Sequence, residues 1–153
     1  MATVSDSDVA AAVLTRWAAV SALNNLVPAT AVWRGRATER STMPYATLVV
    51  SEQDRELTSG AIYLATFVVE IECYTNDPAA TTAALSAALD AAFNGTSSTP
   101  AAGLSVTNAT AVLHSMRDGG GTSRPTMSDR SGGSKDTRRT TAGYRILIQG
   151  ARD

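Results

Sequence analysis

The chain is poor in the residues that most often build sites. It has one cysteine and one histidine, and aromatic residues make up only 5% of its 153 positions. A lone Cys73 cannot form an intramolecular disulfide, so no oxidising compartment is implied. Its place inside an apolar alternation reads as a small buried hydrophobe rather than a reactive thiol. With His114 as the only other soft ligand, a metal site would need mostly carboxylates, and the sequence holds no such cluster. No metal and no cofactor are expected. Long apolar runs are also missing: none approaches the ~18 residues of a membrane span, and "MATVSDSDVAAAVLTRW" lacks the basic leader and apolar core of a signal peptide. These absences predict a protein made and kept in the cytoplasm, without a membrane partner. Nucleotide-binding loops are absent as well. "DGGGTSRP" has no Lys-Ser/Thr after it and does not lie between a strand and a helix, and no G-x-G-x-x-G occurs.

What is present is a moderately apolar chain, 44% hydrophobic with much of that alanine, and 18% charged. A chain of this length is expected as a single domain, residues 1–153, burying roughly 70% of its unfolded surface. Scarce aromatics predict a thin core that a subunit interface helps to complete.

The most regular stretch is "SGAIYLATFVVEIECYT", residues 59–75, with a period of two that defines a β-strand. One face carries Tyr63, Ala65, Phe67, Val69, Ile71 and Cys73. The other begins apolar with Ile62, Leu64 and Val68 and turns acidic at Glu70 and Glu72. Before it, Ser5 or Ser7 can cap a helix whose stripe Val9, Val13, Trp17, Val20 and Leu23 or Asn24 ends ahead of Pro28. That stripe is expected to cover the aromatic strand face. A short strand follows over residues 31–36, and Pro44 opens another, "PYATLVVSE", joined to the long strand by a polar loop "QDRELTSG". After the long strand, Asn76 or Asp77 caps a second helix with Pro78 in its first turn, a stripe of Leu85, Leu89 and Phe93, and Asn94-Gly95 as a left-handed stop. Residues 104–117 and 140–150 read as a last pair of strands. Between them, residues 117–139 have no periodicity and two Gly-Ser-rich runs, so a flexible loop is expected.

Charge divides at the same point. Residues 1–116 hold five Arg against ten acidic residues, net −5; residues 117–139 hold five Arg and Lys135 against three Asp, net +3. An acidic body with a basic arm suits a neighbouring copy or nucleic acid, although a solvated loop of ordinary charge fits as well. Sequence-specific nucleic-acid binding is weakly supported, because the basic segment has neither interleaved aromatics nor a helix to enter a groove. For catalysis, Ser115 points away from His114 on a regular strand, so this pair cannot act together. Glu70 and Glu72 lie two apart, roughly 7 Å between Cα atoms, which favours a solvated or interface face over an acid–base pair.

The predicted class is α+β: a two-layer, mainly antiparallel sheet of about four to five strands packed by two α-helices, with a long flexible basic loop at residues 117–139. The Pro44-Tyr45 strand opening, Ser59-Gly60 before the long strand, its "FVVEIECYT" end and the Ala- and Leu-rich helix directly after it make the chain resemble the tail terminator, or tail completion, proteins of long-tailed bacteriophages. The resemblance spans residues 9–149 and rests on element order and soft motifs. It implies a non-enzymatic structural subunit, assembled in the host cytoplasm into the virion neck. Such subunits form a ring, usually of about six copies, on the last ring of tail tube protein. The ring stops tube growth, meets the head-completion or connector proteins and leaves a channel in which non-specific contact with DNA occurs. Another neck protein, a DNA-binding accessory protein and a small enzyme are the alternative readings. Ile62, Leu64, Val68, Glu70 and Glu72 are the candidate subunit interface, with the second helix or a neighbour covering the apolar three. Arg117, Arg124, Arg130, Lys135, Arg138 and Arg139 form a candidate interface or lumen loop, longer than the connection the family implies.

Overall fold

A computed structural model describes residues 2–35, 42–58, 60–77, 80–120, 124–126 and 137–152. The chain opens with α1 (Asp6–Ala19), which Ser5 starts through a capping box: its hydroxyl accepts from the Asp8 amide at 3.2 Å while the Asp8 carboxylate accepts from the Ser5 amide at 2.8 Å. Those bonds, the backbone one above all, hold the Asp8 carboxyl below its usual range. The expected single stripe is bent. Val20 is extended, and α2 (Ser21–Leu26) starts after it, so that Leu23 and Val27 turn into the core and the Trp17 indole donates to the Val27 carbonyl at 2.7 Å.

A 3₁₀ turn (Ala29–Ala31) leads to β1 (Val32–Arg34), then β2 (Tyr45–Leu57), β3 (Ile62–Thr75), α3 (Thr82–Phe93), β4 (Ala111–Gly120), β5 (Arg124–Thr126) and β6 (Thr137–Ala151). The strands lie in the order β1-β2-β3-β6-β4, antiparallel except for the parallel β1–β2 pair. Since β3 occupies one edge of β6 up to Arg138, β5 pairs with the opposite edge and continues the line of β4.

Four expectations are corrected. The polar "QDREL" is strand rather than loop: β2 shifts register between Glu52 and Asp54 and stays paired to Leu57↔Tyr63. Ladder hydrogen bonds need no apolar side chains, so hydropathy misses a wet strand end. The second helix is capped by Thr81, whose hydroxyl accepts from the Ala84 amide at 3.1 Å, and not by Asn76 or Asp77; Pro78 lies outside the described residues. It ends on extended backbone at Asn94, with no left-handed residue there. The last pair of strands starts later than expected. Residues 104–110 are not strand, with a turn at 107–108 and Asn108 at φ 68°, yet Leu104 and Val106 both reach the core, imitating a strand period. Finally, both ends of the 117–139 segment are strand, supplied by β4, β5 and β6, while residues 121–123 and 127–136 lie outside the described residues.

All the helices cover one face of the sheet. Tyr63, Ala65, Phe67, Val69, Ile71 and Cys73 are buried there beside Tyr144, Ile146 and Ile148 of β6, under Val9, Val13, Leu85 and Leu89. Trp17, Phe93 and Tyr144 form a ring relay through this core, with centroids 6.1 and 5.6 Å apart. The result is an α+β, two-layer fold.

Candidate interaction surface

The consequence of one-sided packing is that the opposite sheet face has no second layer among the described residues. Its register brings Thr47 beside Glu72, Val49 beside Glu70 and Val68 beside Arg145. Exposed apolar side chains stand on it: Ile62 is 41% exposed, Val49 45% and Met116 54%. Leu64 and Val68 are half-buried by their neighbours in the sheet. The second helix covers none of these three expected interface residues, because Phe93 ties it to Tyr144 on the inner face.

Glu70 and Glu72 line two adjoining clefts on this face. The larger, about 400 Å³, is completed by Gly35, Tyr45, Thr47, Val49 and Tyr74. The smaller, about 300 Å³, runs over Val68, Thr141 and Gly143 to Asp118. Tyr45 and Tyr74 stack at 4.8 Å with their planes 19° apart, and the Tyr74 hydroxyl donates to Glu72 at 2.7 Å. Partial burial, followed by that bond, pushes the Tyr74 phenol up to about 12. Asp118 pairs with Arg145 at 2.9 Å and closes the far side. Chemically, this is a wet, acidic surface with aromatic walls.

The basic candidates separate. Arg117 points inward and binds Asp90 at 2.5 Å, joining β4 to α3, and the Tyr144 hydroxyl donates to the same carboxylate oxygen at 2.8 Å. Arg138 donates to the Asp77 carbonyl at 3.5 Å, and Arg139 is exposed opposite Tyr74. Arg124 sits opposite Arg139 on β5, and Arg130 and Lys135 lie outside the described residues. Sequence reading did not name Val49 and Met116 among the interface residues; their alternation with Leu48 and Ser115, both buried, is the signal that carries them.

The residues considered for chemistry are kept apart. A register shift at Leu113 leaves His114 and Ser115 on opposite faces; Ser115 donates inward to the Phe93 carbonyl at 2.5 Å. Cys73 is buried, and burial alone pushes its thiol up to about 12. Among the described residues no three His, Cys, Asp or Glu side chains converge as metal ligands, and no helix is long and apolar enough to cross a membrane.

Comparison with known proteins is consistent with an assembly part. A chain from the virion of a native gene transfer agent particle has the same fold, with a TM-score of 0.60 at 20% identity, over 94% of this chain and 96% of that one. Comparison with curated protein sequences gives no match. The sequence signature described as tail completion protein gp17 matches residues 11–114. The class is therefore that of structural virion proteins of phage-type tails. Within it, the chain belongs to the tail completion protein gp17 family.

Proposed function

We propose that the chain is a tail terminator subunit, one domain over residues 1–153, whose copies close into a ring of about six. The ring caps the tail tube, stops its growth and joins the tail to the head-completion proteins around the DNA channel. It assembles in the host cytoplasm and acts in the neck of the virion. The observation that carries this reading is the sheet face that no described residue covers, where Val49 stands exposed beside Glu70 and Ile62 and Met116 are exposed elsewhere on the same face. A surface of that kind is stabilised by a partner that removes its apolar atoms from water, at about 25 cal/mol per Å². Family membership supplies the context in which that partner is another tail or neck component. The role is structural: it assigns no catalysis to Glu70 or Glu72, nor to His114 and Ser115, which lie on opposite faces of β4.

Light scattering on the purified protein, alone and with tail tube protein, tests the proposal. The expected result is a ring-sized species, formed either spontaneously or on tube ends. A monomer that ignores tube ends would end the ring reading.

A further inference from the structure

Glu70 and Glu72 stand as a ridge on the outer face of β3, and the strands on either side of them are low. The register sets Val49 and Gly143 against Glu70, and Thr47 and Thr141 against Glu72. Neither carboxylate meets a cation across the ladder, where an opposite charge would stabilise it. Among the described residues no ion pair engages either of them, and the outward Arg145, opposite Val68, is held by Asp118 at 2.9 Å. The ridge therefore has a cleft on each side. The larger opens toward β2 over Gly35, Thr47 and Val49, and the smaller toward β6 over Thr141 and Gly143.

The chemistry of the larger cleft defines what fills it. Its wall is the stacked pair Tyr45 and Tyr74, and the Tyr74 hydroxyl donates to one Glu72 oxygen at 2.7 Å, which fixes that carboxylate and leaves its other oxygen as an acceptor. Ionised carboxylates only accept, so the occupant must donate. A π face beside two carboxylates favours a guanidinium, whose plane stacks and whose fork reaches both acceptors, over the compact ammonium of a lysine. A metal ion is a poorer fit, since no three ligating side chains converge among the described residues. Beside the ridge, Val49 is exposed and Val68 half-buried, which suits apolar residues flanking the cation. Nucleic acid is the wrong partner here, because its phosphates would face two carboxylates.

We propose that this face is the docking site for an extended segment of another protein that carries an arginine between apolar residues. The guanidinium enters the larger cleft against Tyr45 and Tyr74 and donates to Glu70 and Glu72, while its apolar neighbours cover Val49 and Val68. The inference rests on reading the outer face as an assembly surface, and it does not depend on the ring.

Fluorescence anisotropy with the full chain tests it. The probes are three fluorescein-labelled nonapeptides that differ only at the central position, which is arginine, lysine or the neutral isostere citrulline between leucine and valine neighbours. Low-salt buffer leaves the exposed charges least screened. The arginine peptide should bind at least about tenfold tighter than the citrulline one, and tighter than the lysine one. The variant E70Q/E72Q, checked for folding by thermal melts, should bind all three alike. An arginine peptide that the parent binds no better than either of the others, or not at all, overturns the docking, and so does an arginine preference that survives in E70Q/E72Q. The terminator reading is judged separately. A parent chain that assembles with tail tube protein but shows no arginine preference leaves that reading standing; an arginine preference in a chain that ignores tube ends removes the ring and keeps the docking.

Discussion

At the scale of single residues, burial decides more than charge. Cys73 and Tyr74 are both held neutral in the fold, with pKa values pushed up to about 12 from ordinary values of 9.0 and 10.0. A raised folded pKa gives stability that is complete below the unfolded value and is lost as pH rises through the folded one. The melting temperature should therefore fall from about pH 9 upward, and the fall should be shallower in Cys73→Ala, as a pH series of thermal melts will show. The Tyr144 phenol is raised for the same reason, burial first and its bond to Asp90 second. Tyr144→Phe removes a donor to a charged acceptor but leaves Arg117 on Asp90. Urea unfolding should report a loss of about 1–2 kcal/mol.

Among elements, the sheet edge at β4 shows how a small α+β protein protects an exposed strand. Residues 94–100 cover it: the Gly95 amide donates to the Ser115 carbonyl at 2.6 Å, the Ser115 amide to the Pro100 carbonyl at 2.9 Å and the Arg117 amide to the Asn94 side chain at 3.0 Å. An edge paired in this way offers no row of free amides to another chain. Gly95 is needed there for close approach, because a Cβ would run into the Pro100 carbonyl. Gly95→Ala should destabilise by about 1–3 kcal/mol and loosen this strap, detectable as faster hydrogen exchange at the Ser115 and Arg117 amides.

The sheet is asymmetric: one face is dry under three helices, and among the described residues nothing covers the other. Substitutions on the open face should separate folding from association. Val49→Asp and Met116→Asp touch no core contact, so the urea midpoint should stay within about 0.5 kcal/mol of the parent. The same variants should raise the protein concentration needed for assembly, measured by light scattering, since each places a charge where apolar burial is expected. Loss of folding in either variant would mean that the face contributes to the monomer after all.

Much of this architecture was legible in the sequence, for a definite reason. Where a residue's neighbours share its own element, periodicity reports the environment: the Tyr63 to Cys73 face, the Leu85, Leu89 and Phe93 stripe and the Tyr144, Ile146 and Ile148 face are all buried as their spacing requires. The sequence therefore determined the central strands and the main helices, and which side of each is dry. It did not determine the polar end of β2, because pairing through backbone amides leaves no mark on hydropathy. Nor did it separate Arg117 from the other arginines. That side chain is spent on Asp90, 27 positions away, and only the packing of α3 against β6 brings the two together. The outer face was legible as an acidic and apolar alternation. Its clefts and stacked tyrosines follow from the pairing of β2 with β3, and the lack of a covering helix among the described residues from where α3 lands, so both were decided by the tertiary structure rather than by any residue within one strand.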